Sequence, residues 1–188
     1  MGRIRNQDVA RWLVAGVEAP PPVLRGATIE EPLPDFPAPT EGQYIVADYK
    51  SLGLTLGRHP LALLRSRLSA MRLSTAEELR RMPAGRLART TGIVTCRQRP
   101  GTASGVVFVT LEDETGCTNV IVWNDLVEKQ RKELLASRLM TVYGVIERDG
   151  EPDGENRLGG EVVHLLAKRL VDHSALLGSL VSTSRDFH

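Results

Sequence analysis

The chain has 188 residues, with 24 Lys and Arg against 23 Asp and Glu and a formal charge of +1; that is room for one ordinary domain with appendages and its own core, but not for several large domains. Two cysteines, Cys96 and Cys117, with no CxxC pair exclude a cysteine zinc site and a disulfide framework and point to a reducing compartment. No apolar run approaches the roughly 20 residues that span a bilayer, and Met1–Gln7 is too polar for a signal peptide, so a soluble, cytoplasmic protein that engages no membrane is expected.

In chain order, Asn6–Ala15 reads as a helix capped by Asn6, with Val9, Trp12 and Leu13 on one side and Gly16 as its stop; it defines an N-terminal element over 1–17. Pro20–Pro39 holds most of the 11 prolines, which favours an extended linker, here 18–42. A helical connector, 43–85, follows. Within Leu52–Arg72, Pro60 suits a first helical turn that carries Leu61, Leu64 and Leu68, with His59 as its cap. Ser74–Glu77 and Thr75–Glu78 both satisfy the capping-box pattern, so a short helix runs to about Met82 before Pro83 ends it.

From Arg86 to Asp172 the pattern changes to strands. Leu87–Gln98 reads as the first. Gly105–Leu111, rich in Val, Phe and Thr, and Thr118–Trp123, rich in Val and Ile, flank Glu112–Gly116, whose Asp and Gly favour a turn; together they make a β-hairpin. Asp125 and Glu128 form an acidic variant of the capping box ahead of Leu126, Val127, Leu134 and Leu135, predicting one short helix. Leu139–Asp149 and Glu161–Val171 read as two more strands around the Gly- and Asp-rich Gly150–Gly160. The order β-β-β-α-β-β describes a mainly β fold with an α connector. A five-stranded Greek-key barrel with its helix between strands three and four is the OB-fold, whose usual ligands are oligonucleotides or oligosaccharides. Residues 173–188 are left as a C-terminal tail.

Basic charge is concentrated. Arg58, Arg65, Arg67, Arg72, Arg80, Arg81, Arg86, Arg89, Arg97 and Arg99 stand against only Glu77 and Glu78 between positions 58 and 99. Such a stripe suits phosphate, because guanidinium forks onto phosphate oxygens and stacks on bases. A solvated face in an arginine-biased composition is the alternative. The barrel itself is slightly acidic, so any nucleic-acid contact falls on a local patch.

Strand alternation places Ile93, Thr95, Arg97 and Arg99 on one face of the first strand, and Gly92, Val94 and Cys96 on the other. Val107, Val109 and Leu111 form an apolar face on the second, leaving Phe108 and Thr110 opposite. Phe108 is then either a stacking platform beside Arg97 or a buried ring. Trp123, next to the helix start, is expected to pack in the core, and with Tyr143 completes a sparse aromatic set that predicts weak, sequence-tolerant binding. The loop Arg99–Ser104 flanks the OB-fold binding face; Arg97, Arg99, Thr102 and Ser104 can all donate to phosphate, and Arg89 adds charge on the first strand. The loop has too little glycine for a phosphate-cradling NTP motif.

The residues carry no catalytic constellation. Two-metal phosphoryl-transfer chemistry needs close carboxylates, commonly an Asp-x-Asp pair, and no two aspartates here are separated by one residue. Glu112, Asp113 and Glu114 fall in a hairpin tip and read as turn residues. His59, His164, His173 and His188 show no ligand spacing. Asp149, Glu151, Asp153 and Glu155 depart from the EF-hand pattern and read as a solvated loop.

RQRPGTASGVVFVTLEDETG followed by NVIVW resembles the OB domain near the C-terminus of bacterial error-prone DNA polymerases, the DnaE-type (family C) enzymes of translesion synthesis. Val46–Pro60, VADYKSLGLTLGRHP, is similar to the segment that precedes it, and Ser184–His188, SRDFH, to the chain terminus. The resemblance covers most of residues 40–188. It implies a module, not itself an enzyme, that contacts single-stranded DNA or the template strand during DNA replication and repair of damaged DNA. The catalytic palm has no counterpart in this sequence, so this chain needs no cofactor of its own; the parent activity is DNA-directed nucleotidyl transfer with magnesium held elsewhere. Two other readings stand beside it. One is an interaction module for polymerase accessory proteins, with Phe187 as an anchor in a tail otherwise expected to fray; the other is a stand-alone single-stranded-DNA-binding protein.

Overall fold

The computed structural model describes residues 39–52, 55–101, 105–149 and 162–178, and the backbone of Arg185–Phe187. The expected helix over Asn6–Ala15, nearly all of the proline-rich segment, the loop 150–161 with its acidic residues, and Thr102 and Ser104 lie outside the described residues. Residues 1–44 and 45–188 form two compact units. Of the first, Pro39–Tyr44 are described. There Thr40 opens helix α1 (Glu41–Leu52) through a reciprocal box, its N–H donating to Gln43 Oε1 at 2.7 Å and its Oγ1 accepting from Gln43 N at 3.3 Å.

In the second unit, α2 (Pro60–Ala70) begins as its sequence dictates. Pro60 occupies the first turn, and His59 caps it by accepting from Leu61 N on Nδ1 at 3.2 Å. Leu61 and Leu68 are fully buried, each contributing about 1.5–3 kcal/mol of apolar burial. The chain turns back at Arg72, whose φ of 55° is left-handed, and Ser74 forms a single parallel bridge with Thr90. Helix α3 (Ala76–Arg80) uses Thr75 and Glu78 as its capping box; of the two sequence candidates, this one is formed.

Five strands then close a barrel: β1 (Leu87–Gln98), β2 (Val107–Asp113), β3 (Gly116–Val122), β4 (Leu139–Asp149) and β5 (Val162–Asp172). The order β2-β3-β5-β4-β1 returns on itself through the β1–β2 pairing. Long β1 makes this possible, because its first half pairs with β4 and its second with β2. The β2–β3 hairpin turns more tightly than expected. Asp113 pairs with Gly116, so Glu112 and Asp113 belong to the strand and Glu114 and Thr115 alone form the tip.

A single irregularity in β1 sets which side chains of its second half face outward. Val94 pairs with Leu111 and Cys96 with Thr110, so Thr95 is an extra residue, a β-bulge that reverses the phase of the rest of the strand. Arg97 therefore lies opposite inward-facing Val109 rather than beside Phe108. A second bulge in β5, at Lys168, lets β4 turn at Gly144, where a Cβ would stand 2.3 Å from the Leu166 carbonyl oxygen; only glycine permits that approach.

The helix between β3 and β4 is two helices, α4 (Asn124–Lys129) and α5 (Arg131–Ala136). Asp125 is not the cap. Trp123 holds that position without a side-chain bond, and Asp125 sits in the first turn. The break falls at Gln130, whose side-chain amide donates to Leu170 O and accepts from Leu170 N, each at 2.8 Å, pinning the break to β5. Trp123 is also not in the core: it is 54% exposed, because Val120 and Val122 point inward and the next residue cannot.

The barrel interior is filled by residues such as Val94, Leu111, Val122, Met140, Ile146 and Leu165. A second cluster lies against the outer wall, where Ile45, Leu61, Leu68 and Leu73 pack with Ile93, Leu139 and Leu177. The last element corrects the expectation of a frayed tail over its final residues. Arg185–Phe187 form β6, parallel to β1, with Cys96 opposite Arg185 and Gln98 opposite Phe187. They take the β1 edge that faces away from β2.

Candidate nucleic-acid interface

Residues directly opposite on neighbouring strands share a face, so the register traces the outer surface of the barrel. Gln98, Phe108, Ile121, Leu166, Val145 and Leu87 are successive partners across β1, β2, β3, β5, β4 and back to β1. All are exposed or half-buried, Phe108 at 37% and Leu87 at 79%. From Phe108 to Leu87 they form an apolar belt around the outside of the wall. Beside it runs a polar row, in which Cys96, Thr110, Asn119, His164 and Glu147 are partners in the same way. Exposed Trp123 continues β3 beyond Ile121, and exposed Arg99 continues β1 beyond Gln98.

Of the residues singled out from the sequence, Phe108 reaches this face, and Arg99 is exposed just past the end of β1, one residue beyond outward-facing Gln98. Arg97 does not: it is 7% exposed, and its guanidinium donates from Nε to Leu134 O at 2.7 Å and from Nη2 to Ser137 O. It ties α5 to β1 and is not offered to a phosphate. The bulge at Thr95 is the cause. Arg89 is half-buried on a different part of the wall, opposite Tyr143. Trp123, assigned to the core on sequence, is instead an exposed ring near Phe108 in the strand order. The inward alternation of Val120 and Val122 was the signal for it.

The acidic tip is a structural lock. Asp113, 5% exposed, accepts from Ala76 N at 2.7 Å with one oxygen, and from Thr115 N, Thr115 Oγ1 and Gly116 N with the other. It therefore caps α3 and closes the hairpin turn together. Glu114 takes a two-pronged contact from Arg65 on α2, through Nε and, at 2.8 Å, Nη2. Burial pushes the Glu114 carboxyl up, but the Arg65 hydrogen bond and charge outweigh it and hold the group below the ordinary range. Arg65 is raised by the same contact.

His59 stands nearby with Nε2 buried, 3.9 Å from Glu112 Oε1 and without a hydrogen-bond partner. Burial lowers its pKa, against the pull of Glu112, Glu114 and Asp113. Burial and Glu112 together raise Tyr49. Among the described residues no group of three or more His, Cys, Asp and Glu is placed to hold a metal ion. The oxygens of Asp113 and Glu114 are committed to the lock, so the magnesium implied by the polymerase resemblance does not fit here. Nor is any helix among the described residues long and apolar enough to cross a membrane.

Comparison with known proteins bears on the same region. Residues 84–170 match the family described as OB-fold nucleic acid binding domain. The chain is 57% identical over 95% of its length to the error-prone DNA polymerase of Aromatoleum aromaticum, and 51% identical over its whole length to that of Alkalilimnicola ehrlichii. It spans only 16% and 17% of those two polymerases. Among solved structures, asparaginyl-tRNA synthetase from Pyrococcus horikoshii in complex with asparaginyl-adenylate aligns at 24% identity over 58% of this chain and 23% of that one, with a TM-score of 0.41. That likeness is too distant to bear on ligands.

Proposed function

We propose, from the match of residues 84–170 to the OB-fold nucleic acid binding domain family and the homology of nearly the whole chain to error-prone DNA polymerases, that the chain is a non-catalytic module that holds single-stranded template DNA during translesion synthesis. In this reading the strand crosses the outer face of the hairpin, with bases on the Phe108 ring and phosphates on Arg99 and on Thr102 and Ser104 of the following loop. The placement of Phe108 carries it: a large aromatic is exposed on the β2–β3 hairpin, part of the face that OB-folds use for oligonucleotides, where alternation and register both turn it outward. Nucleotidyl transfer and its magnesium belong to the remainder of a longer polymerase. The module supplies position.

Fluorescence anisotropy of a labelled single-stranded oligonucleotide at two salt concentrations tests this. Binding that weakens as salt rises is expected; no binding at low salt, or affinity indifferent to salt, removes the reading.

A second reading, a docking face for polymerase accessory proteins, is favoured by the other end of the apolar belt. Leu87, Val145 and Leu166 lie side by side there with Leu87 almost fully exposed, and such a patch suits a protein partner better than a phosphate chain.

A further inference from the structure

One step along the strands from Leu87, Val145 and Leu166 lies a row of different character. Arg89 on β1 is opposite Tyr143 on β4, and Tyr143 is opposite Arg169 on β5. All three therefore project from the same outer face. Arg169 is exposed, and its guanidinium carbon stands 5.7 Å from the centroid of the Tyr143 ring. Lys168, the extra residue of the β5 bulge, is exposed beside it.

Among the described residues no carboxylate pairs with Arg89, Lys168 or Arg169. The acids closest along the strands are otherwise placed: Asp172 is held by Ser174 through both N–H, at 2.9 Å, and Oγ, and Glu147 lies four residues from Tyr143, about 13 Å along β4. Elsewhere on this molecule arginines near acids are paired, as Arg65 is with Glu114 and Arg81 with Glu77. An aromatic ring that orients one guanidinium, a second arginine on the strand paired with the ring's own and a lysine at the edge make a row of donors of one sign, suited to a run of phosphates and not to a single carboxylate.

The row also lies where a strand would go. From Phe108 the outer face leads through Ile121 to Leu166, one step from Arg169. Three strand spacings, about 14 Å, separate β2 from β4 by this path.

We infer that the outer face of β1, β4 and β5 at Arg89, Tyr143 and Arg169 is a second nucleic-acid site, which binds the phosphodiester backbone of the strand after it leaves the Phe108 face. The inference rests on the nucleic-acid reading above but uses none of its residues. Arg89 and Arg169 contact phosphates directly. Tyr143 is a positioning residue that aims Arg169.

The test is anisotropy with the full chain, its R89A/R169A variant and, separately, F108A. OB-folds occupy roughly 4–16 nucleotides, so a single-stranded probe of about 16 nucleotides is used, with a duplex probe of equal length as the second arm. For the single strand, loss of two phosphate contacts is expected to weaken binding and reduce the slope of log K against log salt by about 1.4. F108A should weaken binding with little change in slope. R89K/R169K should retain most of the slope, which separates lost charge from lost folding.

An unchanged slope in R89A/R169A overturns the second site while leaving the Phe108 reading intact. A reduced slope combined with an inert F108A keeps the phosphate contacts of Arg89 and Arg169 but removes the Phe108 face and overturns the path that leads from it. Tighter binding of the duplex, lost in R89A/R169A, keeps the phosphodiester chemistry but overturns the continuous single-strand path. Equal competition by polyglutamate assigns the face to an acidic protein and overturns the inference. A parent chain that binds neither probe at low salt overturns both readings.

Discussion

Arg97 Nε donates to the Leu134 carbonyl oxygen at 2.7 Å, joining the strand that precedes the binding loop to the last turn of the helix outside the barrel. Ser137 O accepts from the same guanidinium, so one side chain satisfies carbonyls at the end of α5 that the helix itself cannot.

Replacing Arg97 with Ala is therefore a stability change and not a binding change. It leaves two buried carbonyl oxygens unpaired and opens space under α5, at a cost of about 2–4 kcal/mol. Urea denaturation reads the loss. Single-stranded-DNA affinity of the folded variant at low temperature should equal that of the parent, and a large affinity loss without destabilisation would return Arg97 to the binding surface.

Phe108→Ala is the converse case. The ring is more than one-third exposed on the outer face, so its removal should cost little stability but weaken single-stranded DNA by about 1–3 kcal/mol, the contribution of one stacked base. Titration of a short oligonucleotide checks this; equal affinities remove Phe108 from the interface.

Gly144→Ala should be strongly destabilising. Its Cβ would sit 2.3 Å from Leu166 O, a backbone atom that cannot swing aside, and 3.1 Å from Leu165 Cδ1 in the core. Relief requires displacing β5 from β4, so a loss of about 3 kcal/mol or more is expected, at the upper end of overpacking costs. A melting temperature within a degree or two of the parent's would mean that the β5 bulge absorbs the methyl.

Acid should weaken the fold in two stages. The pKa of His59 is lowered in the folded state, so the unfolded chain binds its proton first; stability is complete above the unfolded value of about 6.5 and falls as pH drops toward the folded one. Glu114 is also lowered, and its contribution is lost at more acid pH, below its own unfolded value. His59→Asn keeps a capping acceptor before Pro60 but removes the titration. Denaturation midpoints between pH 7 and 5.5 should fall for the parent and stay level for H59N; parallel curves would exclude His59 as the cause.

Most of the barrel was legible in the sequence because its signals are local. Leu87–Gln98 and Leu139–Asp149 have the bounds their β-branched composition predicts, and Pro60 with His59, and Thr75 with Glu78, mark their helix starts. The site was less legible for one reason. Strand alternation assigns every residue a face only while the count is unbroken, and the extra residue at Thr95 reversed Arg97 without leaving a mark in the sequence. Phe108, on a strand with no bulge, was placed correctly on the outward face, though not as exposed rather than buried. Trp123 was misjudged because size outweighed phase; two inward valines before it had already fixed its direction. The Tyr143 row depends on pairings between β1, β4 and β5, far apart in the chain, and no local pattern shows it.

The lock at the hairpin tip changes what kind of attachment the connector makes. A barrel on a flexible tether would sample a volume, and its effective concentration at a target would fall with the length of that tether. Here Arg65 reaches from α2 to Glu114, while Asp113 of the same hairpin caps α3, so the connector is fastened to the hairpin of the proposed DNA-binding face. Whatever α2 is built onto then sets the direction of that face, and a strand delivered to it meets an oriented guide whose local concentration does not depend on slack.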